Sequence, residues 1–403
     1  MTPIKIALIR EGKTPPDKRV PFTPLQVEET KQRFPHANVM VQESAHRSFL
    51  DDEYRKVGIE VLPDISSADI LMGIKEVPIK DLIENKTYLF FSHTIKKQAY
   101  NKKLLQAILQ KNIRLIDYET LTDIQGNRIV AFGRFAGMVG AYNGLWTYGK
   151  RYNAFQLRRA FECFDVNALK LELRKVKLPP VKIILTGGGR VAKGAMETLD
   201  TAGIRKVSPY DFIHSTYEEP VYVQLASVDY HLRKEGGHFN RDEFHHHPER
   251  YYSIFKNFFA YADILLAGAF WNPKAPVLFT IKDMLSADFK LKVIADITCD
   301  INGSIPSTKR ASSIDDPVYD YDPSTDKEKP AFSFDKYVTM MAIDNLPCEL
   351  PRSASEEFGH DLIDRILRPL LVDDPEGIIE RATIAKSGKL TEKFSYLQDY
   401  VEG

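Results

Sequence analysis

The chain of 403 residues carries 55 Lys and Arg against 55 Asp and Glu, a formal net charge of zero. That length suits two to three domains of about 150 residues each, and the charge balance excludes a polyelectrolyte role on nucleic acid or an anionic membrane, leaving only local basic patches. Three cysteines, Cys163, Cys299 and Cys348, are too few and too scattered for a disulfide framework or a zinc site, which points to a reducing compartment.

The opening MTPIKIALIREGK brings in charge by its fifth residue and lacks the apolar run of a secretory signal. Residues 4–9 read as a strand, and residues 23–34 as a helix with Thr23 as N-cap and Pro24 at its first position. Residues 37–42 follow as a strand, 51–58 as a helix, and 68–75 and 87–91 as strands. Residues 96–112 show apolar positions at helical spacing, and 113–119 (IRLIDYE) is again a strand. Strands separated by helices in this way imply right-handed βαβ units and a parallel sheet.

A second unit starts near residue 145, with residues 136–162 reading as one long connecting helix. Residues 177–203 spell strand, glycine turn and helix, while 261–271 and 291–298 read as buried strands with KDMLSAD a short helix between them. The first of those strands lies in the longest apolar stretch, FFAYADILLAGAFW, which contains Asp263 and falls short of the ~20 residues of a membrane span. From about 310 to 332 the chain is polar, proline-containing and loop-like. KYVTMMAIDNLP, SASEEFGHDLIDRILRPLLV and PEGIIERATIAKSG then return to helical patterns. The expectation is a soluble, cytoplasmic α/β protein of two doubly wound, Rossmann-like parallel-sheet domains with a cleft between them. Residues 1–140 with 315–403 form the substrate domain, and residues 141–314 the inserted dinucleotide-binding domain.

The strongest local signal is VKIILTGGGRVAKGA, with Gly187-x-Gly189-x-x-Ala192 between an apolar strand and a helix. Gly187 permits the tight turn, Gly189 lets the backbone approach a pyrophosphate, and Ala192 allows close packing of helix on strand. The helix start at Arg190 and Val191 offers unpaired amides and a favourable dipole to the anion. At the end of the second strand, where an NAD site usually places an acid, stands Ser208, with Arg205 and Lys206 before it and Asp211 after. This leans towards the 2′-phosphate of NADP over NAD.

Two candidate acid–base groups end neighbouring strands: Lys75 in GIKE and His93 in FFSHTI. Ligands of open parallel sheets sit at carboxyl ends of strands, so both side chains are expected in one crevice. A part-buried lysine has a lowered pKa and histidine titrates near neutrality, the range proton transfer needs. Arg19, Arg128 and Arg134 are candidate anchors for substrate carboxylates. Asp296, ending a buried strand, either holds a nicotinamide ribose or caps its loop. His245, His246 and His247 cannot all face one metal, and no metal site is expected.

Several stretches together resemble a known family: DKRVPFTP, TYLFFSHTIKKQ, IRLIDYETLTDIQGNRIVAFGRFAGMVG, ILTGGGRVAKGA, HPERYYSIF, ADITCDINGSI and AIDNLPCELPRSASEEFG. The chain resembles the lysine–ketoglutarate reductase domain of aminoadipic semialdehyde synthase, within the alanine dehydrogenase and lysine-forming saccharopine dehydrogenase superfamily. The resemblance implies reductive condensation of L-lysine with 2-oxoglutarate to saccharopine, using NADP or NAD. It implies that Lys75 and His93 act in acid–base catalysis and that Arg19 and Arg128 bind substrate carboxylates; Glu119 of RLIDYE is a further expected substrate-binding residue. In the bifunctional relatives a glutamate-forming domain follows, so a chain ending at Gly403 is expected to supply only the lysine-handling half. Alternatives on the same residues are alanine dehydrogenase or another amino-acid dehydrogenase, and a non-catalytic cofactor-binding protein. The partners expected are small molecules and another copy of the chain, not nucleic acid or membrane.

Overall fold

The first helix forms as its sequence dictates. Thr23 accepts from the amide of Gln26, the Gln26 side-chain oxygen accepts from the Thr23 amide in return, and Pro24 presets the first turn. A computed structural model describes residues 3–15 and 17–403. Its helices up to residue 214 are α1 (Pro24–Arg33), α2 (Asp51–Lys56), α3 (Lys102–Gln110), α4 (Gly133–Tyr152), α5 (Val166–Leu173), α6 (Arg190–Thr201) and α7 (Pro209–His214). In chain order the first strands are β1 (Ile4–Leu8), β2 (Ala37–Gln42), β3 (Glu60–Leu62), β4 (Ile70–Met72), β5 (Thr87–Phe90) and β6 (Arg114–Asp117). Then come β7 (Lys182–Thr186), β8 (Arg205–Val207), β9 (Val221–Leu225), the small hairpin of β10 (His231–Arg233) with β11 (Tyr251–Ser253), β12 (Ile264–Ala267) and β13 (Val293–Asp296). The last are β14 (Val318–Asp322), β15 (Lys327–Lys329), β16 (Val338–Met341), β17 (Thr383–Lys386) and β18 (Lys389–Leu390).

These strands build two eight-stranded sheets in two compact units, Met1–Phe132 with Pro351–Gly403, and Gly133–Leu350. The first sheet runs β18-β17-β6-β5-β4-β1-β2-β3, parallel from β6 to β3 and antiparallel only at the β17–β18 edge. Successive residues of its strands alternate between two cores. Ile6, Leu8, Val39, Val41, Met72 and Leu89 enter one, and Ala7, Met40, Leu71, Tyr88 and Phe90 the other. Both faces are covered, as a parallel sheet requires.

The second sheet runs β15-β14-β16-β13-β12-β7-β9-β8. Inside this unit α4 and α6 meet backbone to backbone: a Cβ on Gly137 would lie 1.8 Å from the Val191 carbonyl, and one on Gly194 would lie 1.9 Å from that of Arg134. Only glycine fits at either position.

Five stretches differ from the expectation. The polar stretch around 310–332 contains β14 and β15, because its acids are paired inside the sheet: Asp320, fully buried, accepts from the Thr339 hydroxyl (2.7 Å) and the Ser333 amide (2.8 Å), with Arg151 at 3.6 Å. KYVTMM is not helical but forms β16, buried on both faces between β13 and β14, where periodicity alone does not distinguish a buried strand from a helix. These pairings carry the second unit on to Leu350, beyond the expected boundary at 314, and its first boundary lies at 132 instead of 140. The helix expected over 136–162 stops at Tyr152, where Asn153 turns left-handed (φ 49°). The one expected over 96–112 begins at Lys102 after Lys97 does the same (φ 52°). Residues 383–386, expected in a helix, form β17 on β6.

Candidate active site

In the first sheet the strands leave β1 in two directions, β2 and β3 to one side and β4, β5 and β6 to the other. Such a reversal opens a crevice at the carboxyl ends of the central strands. The residues just past β1, β4, β5 and β6 are Glu11 and Lys13, Lys75 and Glu76, His93, and Glu119.

His93 is held from three sides. Its backbone is left-handed (φ 53°), a strain of about 1–2 kcal/mol for a residue with a Cβ. The preceding Ser92 donates its amide (3.0 Å) and its hydroxyl to the buried carboxylate of Asp117 at the end of β6. Asp117 also caps the Glu119 turn (2.7 Å), and burial pushes its pKa up. The ring stacks on Phe91 with centroids 6.3 Å apart, and Nδ1 donates to Oε1 of Glu76 at 2.7 Å. A carboxylate only accepts, so Nδ1 carries the proton and Nε2 is left for other partners.

Glu76 is buried and also meets Lys13 at 3.1 Å. Burial alone would raise its pKa, but the hydrogen bond and charge of His93 outweigh this and bring it down to about 2. Lys75 is half-buried, and its ammonium makes no hydrogen bond or ion pair with the described residues. Burial first, then the Arg19 guanidinium, lower its pKa, against the opposing pull of Asp17 and Glu76.

Of the expected anchors, Arg19 is buried and grips Asp17 with both arms of its fork (2.9 and 2.6 Å), its guanidinium 4.1 Å above the Phe132 ring. Arg128, about 40 % exposed, lies 3.8 Å from Glu119, which also meets Lys96 at 3.2 Å. Arg134 is in the second unit, paired with Glu197 at 2.7 Å. Glu11, Asp17, Glu76 and Lys96 stand around these side chains without having been expected there. The adjacency of Glu76 to Lys75 in GIKE was the one signal available for it.

The glycine turn of the second unit fits a dinucleotide. Gly187 has φ +105°, and a Cβ there would crowd the Gly268 carbonyl at 3.1 Å. Gly189 caps α6, and apart from its chain neighbours no atom of the described residues lies within 4 Å of where its Cβ would stand. Its glycine therefore answers no crowding within the protein and leaves room for an approaching pyrophosphate. Arg190 and Val191 open the helix, its first turn holds no acid, and Ala192 is fully buried, as close packing on β7 demands.

On the side of β7 away from β12 the neighbouring strand is β9, not β8. The position flanking the glycine turn thus falls to Gln224, whose amide donates to the Gly187 carbonyl (2.9 Å) and whose carbonyl accepts from Lys206 (2.8 Å). Lys206, Ser208, Gln224 and Asp229 line a cavity of about 540 Å3. Ser208 also caps α7, exchanging hydrogen bonds with Asp211. Arg205 is taken up by Glu219 at 2.7 Å. Asp296 is buried and caps its turn, accepting from the Thr298 and Cys299 amides and from the Thr298 and Thr308 hydroxyls; burial raises its pKa.

Among the described residues no helix is long and apolar enough to cross a membrane. Residues 7–139 match the family described as Alanine dehydrogenase/PNT, N-terminal domain. The mitochondrial alpha-aminoadipic semialdehyde synthase of Mus musculus is 32% identical over 444 aligned residues, covering 98% of this chain and 47% of that protein. The chain thus spans about half the length of that relative. The saccharopine dehydrogenase [NAD(+), L-lysine-forming] of Neurospora crassa is 27% identical, with 82% of each chain covered. The solved structure of an L-alanine dehydrogenase superposes with a TM-score of 0.65 at 15% identity over 98% of this chain and all of that one, which shows a shared two-domain fold. By these matches residues 7–139 belong to the alanine dehydrogenase/PNT N-terminal domain family, and the chain is a homologue of aminoadipic semialdehyde synthase and saccharopine dehydrogenase within the alanine dehydrogenase superfamily.

Proposed function

We propose that the chain is a nicotinamide-dependent dehydrogenase that condenses L-lysine with 2-oxoglutarate and reduces the imine to saccharopine, reversibly, with NADPH preferred to NADH. The observation that carries this reading is one pair of neighbouring residues. Lys75 holds an unpaired, half-buried ammonium of lowered pKa, and the next residue, Glu76, orients His93.

A lowered pKa makes the neutral amine easier to reach than in a solvated lysine, and in that form it accepts the proton of the substrate's ε-ammonium. The freed nitrogen then attacks the keto carbon, and the carbinolamine that forms loses its oxygen as water. His93 takes up at Nε2 the proton that the attacking nitrogen sheds and passes it to the carbinolamine oxygen while Glu76 steadies the ring, and the proton held by Lys75 completes the departing water. A bound nicotinamide dinucleotide supplies the hydride that reduces the imine. Arg128, the more exposed of the two anchors, takes a substrate carboxylate, with Glu119 and Lys96 setting its position. Arg19, gripped by Asp17, contributes chiefly its positive charge beside Lys75. The cofactor preference rests on Lys206 and Ser208, a cation and a hydroxyl lining the cavity next to Gln224.

The test follows oxidation of NADPH and of NADH with 2-oxoglutarate and lysine, ornithine or ammonia. Turnover with lysine supports the reading. Turnover with ammonia alone would instead make the chain an amino-acid dehydrogenase of another substrate, and tight NADPH binding without any turnover would make it a binding protein. Lys206→Ala is expected to raise KM for NADPH about tenfold or more and to leave KM for NADH unchanged, one charge-assisted contact being lost.

A further inference from the structure

Glu11 takes no part in the proton transfers just described, yet it joins the two central strands of the first sheet at the crevice. It lies past the end of β1, and its two oxygens accept separate backbone amides past the end of β4: Ile74 at 2.6 Å and Lys75 at 2.9 Å. Gly73 makes the approach possible, since a Cβ there would stand 2.9 Å from the Ile9 side chain and 3.3 Å from Oε1 of Glu11. No cation pairs with Glu11 among the described residues, so the two amides are its only hydrogen-bonding partners. Close by, the Tyr118 hydroxyl is fully buried with no hydrogen-bond partner, and it feels the Glu11 charge.

We propose that Glu11 is a positioning residue that clamps the backbone of Lys75 and thereby keeps its ammonium in the half-buried place where it can exchange protons. Lys75 is faced by Arg19 and Lys13, which oppose its charge, and by Asp17 and Glu76, which favour it. With those groups fixed, the depth at which the backbone holds the side chain sets its proton affinity. Burial, and secondarily Asp17, push the Glu11 carboxyl up to about 8 despite the two amides, the state expected of a group kept for its geometry at an electrostatic cost. Glutamine has one acceptor and would turn its NH2 towards the second amide, donor against donor. The loop then loosens, water reaches the ammonium, and the Lys75 pKa climbs towards its ordinary value.

The consequence for catalysis rests on the function proposed above, but the clamp does not, and the test separates them. Acetic anhydride labelling of the full chain, without substrate, across neutral to alkaline pH reads the proton affinity of each lysine by mass spectrometry. In Glu11→Gln the Lys75 midpoint is expected to rise by about one pH unit, while Lys13 and Lys96 keep theirs. In parallel, kcat near neutrality falls about tenfold and the alkaline limb of its pH profile moves with Lys75. An unmoved Lys75 midpoint in a variant that unfolds as cooperatively as the wild type overturns the inference. Activity lost together with stability, without a shifted midpoint, also overturns it. Should Glu11→Gln not fold, Glu11→Asp, too short to span both amides, decides on the same reading. A shifted midpoint in a chain that turns over no substrate would sink the proposed reaction and leave the clamp standing.

Discussion

Lys75 keeps its ammonium without a partner in a crevice where Lys13, Arg19, Lys96 and Arg128 each meet a carboxylate. Burying a cation in that condition lowers stability, which marks Lys75 as a candidate functional group. His93 repeats the pattern in its backbone, held left-handed by Ser92, Asp117 and Glu76. Under the proposed function, Lys75→Met and His93→Gln each lower kcat about 100-fold or more while nucleotide affinity stays unchanged. Steady-state rates and NADPH fluorescence titrations of both variants check this, and near-wild-type turnover in both would remove them from the chemistry. Both residues were legible in the sequence because each ends an apolar run that reads as a strand. The carboxylates that position them were not, since Glu11, Asp17 and Glu76 are common loop acids until their partners are known.

At the level of elements, the most exacting contact is that of α4 on α6, where two glycines let backbones touch. Gly194→Ala places a methyl 1.9 Å from a carbonyl oxygen that cannot move without its helix. The expected loss is about 1–3 kcal/mol, a fall of several degrees in Tm. Gly189→Ala meets no atom of the described residues beyond its chain neighbours, so Tm is expected to stay put while dinucleotide affinity falls at least tenfold. Thermal melts with and without NADPH separate the two; equal effects in both variants would deny the turn its ligand role. The strand–turn–helix around Gly187 was readable because glycine, apolar run and helix pattern agree locally. The strands β14 and β16 were not, because Asp320 looks like loop polarity until Thr339, Ser333 and Arg151 are in place around it.

Across the whole molecule, acid acts on the fold through those carboxylates that are buried or paired. Glu76 is the clearest of these. Its folded pKa of about 2 lies below the ordinary 4.5, so its pairing stabilises the protein fully above pH 4.5 and fades as pH falls towards 2. The amount at stake is on the order of 1–3 kcal/mol for so strongly coupled a group. Circular dichroism through that window is expected to show a stability loss in the wild type that is shallower in Glu76→Gln. An identical acid profile for the two would mean that Glu76 gains nothing from His93 and Lys13.

The sequence by itself determined the class of the fold, the order of most βα units, the glycine turn and the two strand-end residues with titratable side chains. All of these are local: periodicity, capping and punctuation act within about a turn or a strand length of each residue. Only the tertiary structure decided which strand lies next to which. That adjacency puts Gln224 rather than Ser208 beside the glycine turn, draws residues 318–341 into the second sheet, and sets Glu76 against His93 and Glu11 against the amide of Lys75. Pairings between distant segments depend on how sheets assemble, and no window of sequence carries that information.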